Sequence, residues 1–145
     1  MHERAERLRL QSEELIEQDS LAYLDFVEAT RSGQGVAGAQ ARTIQIPLEI
    51  ARAAAEVAAL AEQSASLGNP KLRPDAVVAA MLASAAAEAA AYLVAVNVGE
   101  SADVRVDEAL KLAREASARL RQPGARGSSG GPGRGRARPA DSHRR

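Results

Sequence analysis

The sequence predicts an all-α fold, a helical bundle of about four helices followed by a separate C-terminal tail. Apolar residues recur at helical spacing through long segments, no stretch of useful length alternates as a strand would, and Gly/Pro clusters cut the pattern into pieces.

The first helix is expected over residues 3–31, where Leu8, Ser12, Leu15, Asp19, Ala22 and Phe26 follow +4/+3 spacing and share one face. Three glycines between Ser32 and Gly38 end it. A second helix is expected from about Ile44 to Leu67, with Pro47 near its first turn, where a missing N–H does least harm. Ile50, Ala54, Val57 and Ala61 form its stripe. Gly68-Asn69-Pro70 stops it, the glycine suiting a left-handed cap. Pro74-Asp75 opens a third helix reaching about Val98, apolar nearly all round and therefore expected to be the buried centre. The fourth runs from about Val104 to Leu120, with Val106, Ala109, Leu110, Ala113, Ala116 and Leu120 facing inward. The helical domain is thus placed at 1–121, and the Gly/Arg/Pro-rich residues 122–145 read as disordered.

Composition narrows the class. The 145 residues are 46% apolar but only 2% aromatic, so alanine, leucine and valine must fill the interior. Small side chains bury little area each, which hints at close helix contacts or a second copy of the chain, a homodimer. Net charge is zero but uneven: the tail carries six arginines against Asp141, leaving 13 bases and 18 acids before residue 122. A mildly acidic folded part argues against nucleic-acid binding, and the tail lacks interleaved aromatics. Absence of cysteine excludes disulfides and thiolate metal sites. Residues 76–98 could span a membrane by length, but their alanines with Ser84, Glu88 and Asn97 favour a buried helix. No membrane partner is expected. The charged start Met1-His2-Glu3-Arg4 is unlike a signal peptide, so the expected compartment is the cytoplasm.

Few residues offer chemistry. There is no GxxxxGK[ST] loop, no HExxH and no Ser/His/Asp set, so neither metal nor cofactor is expected. Asp19 falls on an apolar stripe, either at its wet edge or inside it, where lost hydration would suit a carboxylate to general acid/base work. Asp75 suits an N-cap, and Asn97 either a C-terminal cap or a buried group needing partners. Glu88 and Tyr92 are i,i+4 neighbours on a wetter edge or a dimer contact. Asp75 and Asn97 lie 22 residues apart, roughly 33 Å along one helix, and could meet only across an antiparallel dimer.

The order of these motifs resembles the cyclodeaminase/cyclohydrolase family, comprising formiminotetrahydrofolate cyclodeaminase domains and methenyltetrahydrofolate cyclohydrolases. Asp19-Ser20-Leu21-Ala22-Tyr23 is similar to the family's D-x-x-A-[YF]. Ile46-Pro47-Leu48-Glu49-Ile50-Ala51 follows, and then the run from Gly68 to Ala80, similar to GNPxxxSDAxVAA. Leu93-Val94-Ala95-Val96-Asn97 closes a match over roughly residues 5–120. The resemblance implies a helical homodimer acting on one-carbon units carried by tetrahydrofolate, without metal or nucleotide. Asp19 would be its proton-transfer carboxylate, and Asp75 and Asn97 would build or order the folate pocket. Two departures stand out. Pro74 replaces the family's serine, and Met1 falls inside the helix after the family's PTPGGGS segment, so the chain is expected to be N-terminally truncated relative to the family. The rival expectation is a non-catalytic helical dimerisation module, or a gene remnant without a complete active site.

Overall fold

The computed structural model describes residues 1–120; the expected tail at 122–145 lies outside them. The helices are α1 (His2–Ser32), α2 (Val36–Leu67), α3 (Arg73–Val98) and α4 (Val104–Leu120), with a single 3-10 turn at Pro70–Leu72 before α3. No strand occurs among the described residues. Gly33 ends α1 in the left-handed region (φ 71°), its N–H donating to the Ala29 carbonyl, and Gly35 repeats that conformation (φ 69°) to start α2. Gly68 is extended instead of left-handed (φ −83°), and glycine is required there because a Cβ would run into the Ser64 carbonyl oxygen. Asn69 caps the 3-10 turn, its Oδ1 accepting from the Lys71 N–H at 3.0 Å.

The central helix is α2, not α3. It packs against α1 on one side and against α3 and α4 on the other. Leu8, Leu15 and Ala22 of α1 meet Ile46, Ala53 and Leu60 of α2 in one core. Ile44, Leu48, Ala54 and Ala58 meet Ala83, Ala87, Ala91 and Val94 of α3, with Ala109, Ala113 and Ala116 of α4, in a second. Val57 touches both. Alanine dominates the buried positions of every helix except the first, which explains how four helices approach without aromatics. Each methyl removed from water adds only about 0.8 kcal/mol, so the closeness of the backbones matters as much as the area.

Because its neighbours cover only one side, α3 is half covered. Val78, Met81, Leu82, Tyr92, Leu93 and Val96 stay 41–69% exposed. The stretch Pro70–Val98 contains an 18-residue window of mean hydropathy 1.8 and is long and apolar enough to cross a membrane on those grounds, with 39% of that window buried. Leu110, expected to face inward on α4, is 41% exposed.

Cross-helix ion pairs set register. Arg4–Glu56 (2.5 Å) and Arg42–Asp25 (2.7 Å) hold α1 antiparallel to α2, and Arg52–Glu108 and Arg119–Glu62 (both 2.7 Å) tie α4 to α2. All are partly exposed, so they orient more than they stabilise.

Asp103 caps α4, accepting from the Arg105 backbone N–H at 2.9 Å while the Arg105 guanidinium reaches back at 2.5 Å. These bonds, the side-chain one foremost, hold the Asp103 carboxyl down to about 2 from its ordinary 3.8. A carboxyl depressed on folding stabilises the fold above its unfolded value and loses that contribution as pH falls through its folded one. Asp103→Ala should lower the melting temperature at neutral pH, and the gap to the wild type should close between pH 4 and pH 2. Thermal unfolding followed by circular dichroism across that range checks it; a gap unchanged at pH 2 would assign the effect elsewhere.

Candidate functional site

The feature most like a binding site follows from α2 standing between α1 and α3. These two helices flank it without packing on each other to any extent, and an apolar groove of about 460 Å³ opens between them. Ile16 and Leu15 form the α1 wall, Ala53 and Val57 the floor, and Leu82 and Ala86 part of the α3 wall. Ser12 is the polar residue on its lining; its hydroxyl donates to the Leu8 carbonyl at 2.7 Å, which leaves the oxygen free to accept.

Asp19 lies four residues after Leu15 and three after Ile16, so it continues the α1 wall by one turn. It is half-buried and has no hydrogen bond or ion pair among the described residues. A carboxylate without a protein partner beside an apolar groove keeps all its lone pairs for a ligand or water.

Asp75 stands elsewhere. The helix starts two residues before it, after Leu72, with no side-chain cap, so Asp75 is not the N-cap its sequence position suggested. It is an exposed first-turn acid, favourable to the helix dipole. Asn97 is at the far end of the same 26-residue helix, so one chain does not bring these two residues together.

Asn97 is not a C-terminal cap; Gly99 ends the helix. Its side-chain amide donates to the Thr43 carbonyl at 2.6 Å, and the reason lies four residues on from Thr43. Pro47 falls in the interior of α2, where it has no N–H to give that carbonyl. A Thr43 oxygen left bare beside the buried Thr43 and Pro47 would carry a desolvation penalty, and Asn97 supplies the missing donor from a different helix. This compensation lets α2 start at Val36 and pass through Pro47 without stopping, where the sequence suggested a start at Ile44.

A polar chain between α3 and α4 was equally unmarked in the sequence. Buried Ser84 lies 2.9 Å from Ser117, whose hydroxyl donates to Glu88. The signal was Ser84 and Glu88 at i,i+4 in an otherwise apolar helix, without any indication of the partner. No group of three or more His, Cys, Asp or Glu placed to hold a metal occurs among the described residues.

A family model described as Formiminotransferase-cyclodeaminase matches residues 1–116. No curated protein and no solved structure gives a significant match.

The Asn97 bond has a measurable signature. Asn97→Ala should cost about 1–3 kcal/mol of unfolding free energy, because it strands the Thr43 carbonyl. In a Pro47→Ala background, where residue 47 regains its N–H, the same substitution should cost at least ~0.5 kcal/mol less. Urea unfolding of the four proteins gives the coupling, and additive costs would refute the compensation.

Proposed function

The chain belongs to the formiminotransferase-cyclodeaminase family, and from that premise we propose that it acts on a one-carbon unit carried by tetrahydrofolate. The reaction is hydrolysis of the 5,10-methenyl bridge or loss of ammonia from a 5-formimino group, carried out by a homodimer in the cytoplasm. The observation that supports this most directly is an unpaired, half-buried Asp19 one turn along the wall of an apolar groove. At about 460 Å³ the groove falls in the usual range for a small-molecule site. Its aliphatic walls suit the faces of a flat heterocycle, which need dispersion and not hydrogen bonds.

In this reading Asp19 moves the proton. For the methenyl substrate, water adds to the amidinium carbon as its proton passes to the Asp19 carboxylate. The resulting hydroxyl-bearing carbon then breaks its bond to one of the two bridged nitrogens, which takes the proton back from Asp19, while the hydroxyl proton is released to solvent and the formyl group remains on the other nitrogen. For the formimino substrate the exocyclic N10 amine attacks the carbon carried on N5. The Asp19 carboxylate takes the N10 proton and returns it to the former imino nitrogen, and a further proton from the medium lets that nitrogen leave as ammonia, giving the cationic methenyl bridge. Both schemes need one carboxylate poised beside the same atom, and neither requires charge from the groove's walls. Asp75 and Asn97 enter as pocket-ordering residues, Asn97 by fixing the α2 backbone at Thr43 and Pro47.

The test is direct. Purified chain should speed the loss of near-ultraviolet absorbance of 5,10-methenyltetrahydrofolate above the buffer rate. Asp19→Asn should lower that rate by about 10²–10⁴-fold, the usual worth of a positioned proton-transfer group. Should the chain match the uncatalysed rate with both methenyl and formimino substrates, the reading of it as a non-catalytic helical module takes over.

A further inference from the structure

We infer that a second compartment adjoining the groove receives the aromatic arm of the substrate and selects for the arm's ring, not for its charge. A cavity of about 330 Å³ lies between the N-terminal part of α1 and the C-terminal half of α2. It shares Ser12 of α1, Val57 of α2 and Ala79 of α3 with the groove, one residue from each wall and one from the floor. Two cavities bounded by the same three residues are two lengths of one channel, with those residues as its waist. Along α1 the channel runs from Ile16 back to Met1, a rise of roughly 22 Å.

The order of groups along the channel gives the ligand a direction. Asp19 lies beyond Ile16, on the side away from the waist. A ligand whose reacting carbon is within reach of Asp19 fills the groove with its ring, and the second compartment is left for whatever that ring carries. Its identity rests on the folate reading: beside N5, tetrahydrofolate carries a methylene, N10, a benzoyl ring and a glutamate, in that order. The bicycle and its one-carbon bridge occupy the groove, and the benzoyl ring passes the waist.

The lining of the second compartment suits an aryl ring. Leu8, Leu60 and Ala61 are buried around it, and Ala5 leaves room on the α1 side. Aliphatic walls with no aromatic of their own grip a flat ring by dispersion. Met1 closes the far end, its sulfur accepting from the Ser64 hydroxyl at 3.1 Å. A thioether is a favourable neighbour for an aromatic edge.

Charge at the compartment decides what it ignores. Arg9 is the charged side chain on the lining, and its guanidinium already donates to Glu13 at 2.5 Å and to Glu6 at 2.7 Å. Asp75 stands four residues before Ala79 on the same side of α3. A cation held between two carboxylates, with a third acid near by, offers little to another anion. The arm's ring is therefore held, and its carboxylates stay in water.

The arm can be tested without turnover. Titrating isotope-labelled chain with p-aminobenzoylglutamate, an arm that has no reacting carbon, should shift the amide resonances of Ala5, Ala61 and Ser64. Ala5→Leu, which fills the compartment from an exposed helical position, should abolish those shifts, and so should Ala79→Leu at the waist. With 5,10-methenyltetrahydrofolate, Ala5→Leu should raise KM by about tenfold or more, the worth of one buried ring. An analogue with a methyl group in place of the aryl arm should give variant and wild type the same KM. Adding glutamates to the arm, or salt to the buffer, should move the wild-type KM by less than about twofold. Absent shifts, shifts that persist in both variants, an equal KM for Ala5→Leu with the full substrate, or a KM that falls steeply with each added glutamate would each overturn the subsite. Shifts abolished by the variants in a chain that turns over neither folate substrate would fail the folate reading and leave the aryl subsite standing.

Discussion

The hydrogen bond from Asn97 to the Thr43 carbonyl holds the part of the molecule on which all else is stacked. α2 is the shared wall of both cores, and Pro47 interrupts its ladder of backbone bonds just where Ile44, Ile46 and Leu48 enter those cores. An interior proline normally bends or ends a helix because a carbonyl loses its donor and the ring crowds the preceding turn. Here the lost donor is supplied by an amide from α3. The same contact ties the C-terminal end of α3 to the N-terminal half of α2, so one bond both supplies the donor that Pro47 lacks and joins α2 to its principal neighbour.

Around that axis the packing is economical in atoms. Alanine faces alanine along α2, α3 and α4, which brings backbones close but leaves little side-chain volume to wrap around a helix. A helix so packed is covered on the side that touches and bare on the other. The groove between α1 and α3 and the uncovered face of α3 have this one origin: α2 is too narrow a floor for its two neighbours to meet above it. An open apolar groove and an uncovered apolar helix face are both what such an architecture leaves.

Much of this was legible in the sequence, for local reasons. The end of α1 and the start of α4 follow from nearby glycines and a +3/+4 period, and the Gly68-Asn69-Pro70 break is punctuation that needs no tertiary context. Asp19 announced itself as an acid on an apolar stripe and is half-buried. What the sequence could not convey depended on partners distant in the chain. Hydropathy marked α3 as the buried centre because it counts apolar residues without asking what covers them. Pro47 looked like a first-turn residue because the donor that rescues it lies fifty residues on. Asp75 looked like a cap because Pro74 precedes it, yet the helix had begun one residue before that proline.

α1 is held differently from the other three helices. Its 31 residues are anchored by Leu8, Leu15, Ala22 and Ala29, one buried residue every seven, the first three of them packed on α2. Sparse apolar anchoring of this kind is what favours local opening over global unfolding, whereas α2, α3 and α4 share one continuous core. Asp19 rides on α1. The carboxylate and the outer wall of the groove therefore belong to the most sparsely anchored helix, while the groove's floor belongs to the better-packed three-helix core.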